Sequence, residues 1–168
     1  MNERDLPALR RILQDADVMY AYGHAFSDAE VEEWFNRQLD RYGQYAHKYG
    51  LWAAVLKENN EMIGQCGLTM QEYNGGFVME IGYLFQKAYW HNGYALEGAV
   101  ACKKYAFDIL NEPEVYSIIR DTNIASQKVA ERNGMTVKDK FVKRYYNTDM
   151  PHIVYSVKNN NKNTAEAF

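Results

Sequence analysis

The sequence predicts a single α+β domain whose sheet is mostly antiparallel with one parallel crossover. Three observations lead there. Two stretches with apolar residues at helical spacing come first, and three extended stretches joined by short turns follow. The third of these opens an alternation of strand, helix, strand and helix, closed by two more strands. Only that alternation demands a parallel pair, because a helix between two strands returns the chain in the same direction. A length of 168 residues suits one domain with a substantial core.

The first helix runs from Asp5 to Gln14. Asp5 is placed to cap it, Pro7 sits early where proline is tolerated, and Leu6, Leu9, Ile12 and Leu13 share a face. A second helix begins at Ser27 or Asp28, with acids Asp28 and Glu30 in its first turn and Val31, Trp34, Phe35 and Leu39 along one side. Leu51 to Leu56 reads as a strand, Lys57 to Glu61 as a polar turn, and Met62 to Met70 as the hairpin partner. Asn74-Gly75-Gly76 is a strong turn signal before the strand from Phe77 to Phe85. Gly93 opens a long helix that ends near Leu110, before Pro113. Val115 to Arg120 is a short apolar strand, and Asn123 to Arg132 a helix stopped by Asn133-Gly134. Met135 to Val142 and His152 to Val157 complete the sheet. Residues 158–168 are rich in Asn and Lys and read as a disordered polar tail, which leaves a folded domain at 1–157.

Composition excludes several classes of function. The formal net charge is -3 and the basic residues form no run, which argues against a nucleic-acid partner. Cys66 and Cys102 stand far apart in sequence without partners at metal spacing, so two buried free thiols and no metal site are expected. No stretch approaches a membrane span and no apolar leader opens the chain, so the expected location is cytoplasmic, away from the membrane. The 14 tyrosines suit half-buried walls, of a pocket or of a plain core.

Chemistry concentrates in three places. Glu80 lies on a strand whose two faces are both largely apolar: Phe77, Met79, Ile81, Tyr83 and Phe85 point one way, Val78, Glu80, Gly82 and Leu84 the other. Burial raises a carboxyl pKa, which suits a general base near neutral pH; a hydrogen-bonded or ion-paired core Glu is the other reading. The turn Gln86 to Ala95 ends in Gly93 at a helix start, where exposed N–H groups and the helix dipole favour phosphate oxygens. The turn has neither a Walker Lys-Ser/Thr pair nor a G-x-G-x-x-G pattern. His91 can touch a phosphate or stay solvated. The third place is Asp121 to Met135, where Thr122 or Asn123 can cap a helix entered directly from a strand.

Taken together, "EIGY" at Glu80 to Tyr83, "YWHNGYALEGA" at Tyr89 to Ala99 and "NIASQKVAERNGM" at Asn123 to Met135 resemble the GNAT superfamily of N-acetyltransferases. The resemblance is nearest to the branch of ribosomal-protein N-terminal (alanine/serine) acetyltransferases and spans nearly the whole chain. It implies a splayed parallel strand pair in a mixed sheet with helices on both faces, and acetyl-CoA as cosubstrate with an amine as acceptor. It implies that Trp90, His91, Asn92, Gly93, Tyr94 and Ala95 wrap the pyrophosphate. Backbone near Tyr83, Leu84 and Phe85 would hold the pantetheine arm and the acetyl carbonyl, and Asn123 would contact the coenzyme. By the same resemblance Glu80 is the general base, and Ser126 touches the coenzyme and protonates the departing thiolate. Dimers are common in the superfamily, so a homodimer is compatible with it.

The chain departs from the family pattern in three places. Ala130 stands where many members carry a tyrosine acid. No acid occurs near Tyr145, where some ribosomal-protein enzymes have a carboxylate. The strand that usually precedes the first helix is missing. A module that binds acyl-CoA without turnover is the alternative these departures suggest.

Overall fold

In the computed structural model, which describes residues 1–46, 48–145 and 147–160, Asn2 and Asp5 form a capping box around a 3-10 turn at Glu3–Asp5. Helix α1 (Leu6–Leu13) follows, buries Ala8, Leu9, Ile12 and Leu13, and carries its proline in the first turn. Asp5 makes no side-chain cap for α1; its carboxylate accepts instead from the Asn2 N–H. A short helix that the apolar spacing does not signal, α2 (Ala16–Met19), is capped by Asp15. A 3-10 turn at Tyr20–Tyr22 leads on. Helix α3 (Asp28–Gln44) starts at a capping box between Ser27 and Glu30.

The strands are β1 (Gly50–Val55), β2 (Met62–Tyr73), β3 (Gly76–Phe85), β4 (Glu114–Arg120), β5 (Thr136–Tyr145) and β6 (Thr148–Lys158), with α4 (Tyr94–Asp108) and α5 (Ile124–Arg132) between them. They form one sheet in the order β1-β2-β3-β4-β6-β5. Every neighbouring pair is antiparallel except β3 and β4. Among the described residues no strand precedes α1, so β1 is an edge.

The sheet is covered on both faces. On one side α4 and α5 enclose a core that includes Ile63, Leu68, Met79, Ile81, Phe85, Ala99, Val115, Ala130 and Tyr155. On the other, α1 and α3 enclose a smaller core of Leu9, Ile12, Leu13, Met19, Val31, Phe35 and Met62. The first eight residues of β2 are buried for this reason. Phe77 departs from the expected alternation: it is 73% exposed, because β3 begins beyond the cover of either layer.

β6 departs from expectation at both ends. β6 starts at Thr148 and takes in Pro151. The missing proline N–H is tolerated because β4 has ended: its last pair is Arg120 with His152. β6 also takes in Lys158. Asn159 beyond it is buried and bonds the Pro113 carbonyl, so the start of the polar stretch belongs to the fold. Residues 161–168, the rest of the expected tail, lie outside the described residues. Cys66 and Cys102 are free and buried as expected, with their sulfurs 3.6 Å apart.

Candidate active site

The parallel junction of β3 and β4 holds through one register pair, Glu80 with Tyr116. Beyond it, side chains replace the ladder. Glu80 Oε1 accepts the Ile118 N–H at 3.0 Å, and Ser117 Oγ donates to the Ile81 carbonyl at 3.3 Å. The C-terminal ends of β3 and β4 are therefore unpaired with each other, which is the splay the family resemblance implies.

The two faces of that junction carry different groups. Glu80 is half-buried on the side of α3, directly across from Thr69 of β2. Burial raises its carboxyl pKa from 4.5 to about 7, against the opposing pull of the Ile118 N–H, Lys143, the Thr69 hydroxyl and Arg41. Tyr83 points to the opposite side, where its hydroxyl donates to the Ser126 carbonyl at 3.3 Å. Burial raises this phenol well above its ordinary value. Ser126 is half-buried in the first turn of α5. The Glu80 carboxylate and the Tyr83 hydroxyl thus lie on opposite faces of β3 beside its unpaired end.

The turn into α4 is pinned from within. The Trp90 indole donates to the Phe85 carbonyl at 3.0 Å, and Asn92 Nδ2 donates to the carbonyls of Tyr89 and Trp90. His91 and Gly93 both adopt left-handed backbone, at φ 64 and φ 86. Gly93 is required by this conformation and not by crowding, since an added Cβ there meets nothing within 4 Å. His91, Asn92 and Gly93 are exposed; Tyr94 and Ala95 are half-buried in the first turn of α4. The first N–H groups of a helix have no carbonyl one turn back, and the dipole is positive there. Such a turn can hold an anionic group through its backbone N–H groups, with Trp90 fixing its entry. Leu84, half-buried against the α1/α3 core, and Phe85, buried in the α4/α5 core, fix the strand end beside it.

Asn123 caps α5: its Oδ1 accepts from the Ser126 N–H at 3.1 Å and from the Tyr20 hydroxyl at 2.8 Å. Its acceptor end is engaged by the fold, and Nδ2 is the end able to serve a ligand. Arg120 Nη1 donates to the Tyr20 carbonyl at 2.9 Å. The Tyr20–Tyr22 turn is thereby clasped onto the mouth of the splay. Sequence reading offers Tyr20, Tyr22 and Trp34 as acceptor walls or helix-face core. In the structure Tyr20 and Tyr22 are 43% and 39% exposed, and Tyr22 meets the Trp34 ring edge-on at 6.2 Å. Arg120 has no local signature, since its partner lies a hundred residues away. Ala130, 2% exposed, fills a core position and offers no hydroxyl.

Residues 1–136 match the acetyltransferase (GNAT) domain family. A curated relative, the uncharacterised protein YkkB of Bacillus subtilis (strain 168), is 37% identical over 136 residues, covering 80% of this chain and 78% of its own. Among solved structures, a GNAT-family acetyltransferase from Bacillus anthracis aligns with TM-score 0.79 at 23% identity, over 95% of this chain and 92% of that one. The ribosomal-protein-alanine N-acetyltransferase of Brucella melitensis aligns with TM-score 0.72 at 15% identity, over 94% and 96%. The spermidine N-acetyltransferase of Vibrio cholerae, solved with CoA and spermine, aligns with TM-score 0.74 at 15% identity, over 95% and 92%. The chain belongs to the GNAT acetyltransferase family.

Proposed function

We propose that the protein transfers the acetyl group of acetyl-CoA to a primary amine, at a protein N-terminus or on a small molecule, by direct attack with both substrates bound. Acetyl-CoA supplies the acetyl group as an activated thioester. What supports the reading is that Glu80 and Tyr83, whose hydroxyl donates to the Ser126 carbonyl, lie on opposite faces of β3 beside the end that is unpaired with β4.

The chain's own residues divide the work. The N-terminal turn of α4, entered through Trp90, His91, Asn92 and Gly93, binds the pyrophosphate through backbone N–H groups. The unpaired end of β3, Tyr83 to Phe85, lines the arm, and Asn123 Nδ2 contacts the coenzyme from α5. Glu80, with a carboxyl near pH 7, accepts the proton of the incoming amine. Ser126 Oγ supplies a proton to the departing thiolate, whose pKa of about 8.5 by the cysteine model makes that help modest. No metal enters this scheme. A reducing, cytoplasmic setting keeps the close Cys66–Cys102 pair as thiols.

One observation favours a second reading: the buried Ala130 leaves α5 without a tyrosine hydroxyl, as in a domain that binds acyl-CoA without turnover. Thermal denaturation with acetyl-CoA, CoA, ATP or NAD, followed by thiol release over an amine panel, separates the two. A ligand at about a hundred times its dissociation constant adds roughly 2.7 kcal/mol to the folded state. Stabilisation by acetyl-CoA and CoA alone, with thiol release, supports the enzyme. Stabilisation without release supports the binding module, and no stabilisation removes both readings.

A further inference from the structure

The chain has two cysteines, and the fold brings them together. The sulfurs of Cys66 on β2 and Cys102 on α4 stand 3.6 Å apart, across 36 positions of sequence. A disulfide bond measures about 2.05 Å, so an approach of roughly 1.5 Å joins them. Both residues are buried, at 7% and 6% exposed, which admits a peroxide-sized reagent and not a bulky disulfide. The hydrogen bond from Cys66 lowers the Cys102 thiol pKa against the effect of burial. The same bond first, and burial second, raise that of Cys66.

Two contacts tie this pair to the coenzyme turn. Cys66 is the cross-strand partner of Tyr83, and such partners share a face; the coenzyme reading places Tyr83 along the pantetheine arm. Gly98 rests on the same sulfur: a Cβ added there would stand 2.9 Å from Cys66 Sγ. Helix α4 therefore cannot descend onto β2 as a body. Tyr94 and Cys102 lie four residues to either side of Gly98, about 6 Å each way along the helix. Drawing Cys102 toward β2 rocks α4 on the Gly98 contact and lifts the first turn, where the free N–H groups are.

We propose that Cys66 and Cys102 are a modification site, oxidised by peroxide to a reversible disulfide that pins α4 to β2 and weakens coenzyme binding. The Cys102 thiolate attacks a peroxide oxygen, giving a sulfenic acid and releasing hydroxide, which takes up the proton that the thiol lost. The Cys66 sulfur then attacks the sulfenic sulfur. The S–S bond forms, the S–O bond breaks and water leaves. Two thiols lose two electrons and two protons, and one hydrogen peroxide becomes two waters. An external dithiol reverses the step by exchange. The link to the coenzyme rests on the acetyl-CoA reading of the α4 turn; the disulfide itself does not.

The test compares the protein before peroxide, after it, and after dithiothreitol. Intact mass and iodoacetamide labelling of the unfolded chain count the thiols, and calorimetry reads CoA affinity. Peroxide should remove both labelled thiols and two hydrogens of mass, and weaken CoA binding by about tenfold or more. Dithiothreitol should restore all three. Cys102→Ala and Cys66→Ala, each checked for a folded melting transition, should bind CoA as the reduced protein does and keep that affinity after peroxide. Thiols that survive peroxide, sulfinic acids in place of the disulfide, or a disulfide that leaves CoA affinity unchanged overturns the proposal. So does an equal loss of affinity in the two variants, which would assign the effect to another oxidised residue. A disulfide that forms in a protein binding no CoA in either state overturns the coenzyme reading and the regulatory link together.

Discussion

The Glu80 carboxylate caps the Ile118 N–H at 3.0 Å, two residues past the only register pair between β3 and β4. A side chain holds the place a strand carbonyl would take in a continuous parallel ladder. The group that opens the junction is therefore the group proposed as base.

That double duty sets a pH signature. A carboxyl raised from 4.5 to about 7 binds its proton more tightly folded than unfolded. Stability then falls as pH rises from about 4.5 to 7 and is flat above. Glu80→Gln keeps an acceptor for Ile118 and removes the penalty. It should raise Tm at pH 8, by up to about 3 kcal/mol of stability, and leave Tm at pH 4 little changed. Turnover should drop about a hundredfold and lose its rise through pH 7. Stability curves and pH–rate profiles check both halves; turnover unchanged across pH 6 to 9 removes Glu80 as base.

Gly93 tests the phosphate turn. At φ 86 a β-branched residue is strained by about 1–3 kcal/mol, whereas asparagine tolerates this region. Gly93→Val should weaken CoA binding at least tenfold by calorimetry, and Gly93→Asn much less. Equal affinities in both variants would remove the turn from the coenzyme site.

Ser126→Ala probes the leaving-group side. The expected loss in kcat is below about a hundredfold, the lower end for general acid catalysis, and it should shrink with a thioester of a more acidic thiol. A loss that ignores thiol acidity would assign Ser126 to binding alone.

Asn123→Ala removes a helix cap and the partner of the Tyr20 hydroxyl together. A cap lost costs about 0.5–2 kcal/mol. The variant should therefore melt earlier and bind CoA more weakly. Tyr20→Phe, which spares the cap, should leave Tm nearly unchanged.

Features governed by near neighbours are readable in the chain. The Ser27 and Asn123 caps, the left-handed Gly93 and Gly134, and the alternation that buries Met79 and Ile81 all follow from residues a few positions away. From them come the strand order in sequence, the position of Glu80 and the three motif-bearing stretches. Illegible features depend on distant partners. The end of the parallel ladder after Glu80 is set by the bonds of Glu80 to Ile118 and of Ser117 to Ile81, across 38 and 36 positions. The bonds of Tyr20 to Asn123 and Arg120 join residues 103 and 100 positions apart, and the 3.6 Å contact of Cys66 with Cys102 needs α4 laid across β2. Asp5 shows the local limit: its carboxylate turns back to Asn2 because the chain makes a 3-10 turn before α1.

Tyr20 ties the cap of α5 to the end of β4. Its hydroxyl holds the asparagine proposed to meet the coenzyme, and its carbonyl holds Arg120. Whatever draws Asn123 toward a ligand therefore alters what fixes the Tyr20–Tyr22 turn. Coupling of this kind is reciprocal: anything that steadies the turn changes the affinity of that ligand by the same factor. A clasp between two elements so far apart in sequence lets a contact at one be felt at the other without any change of fold.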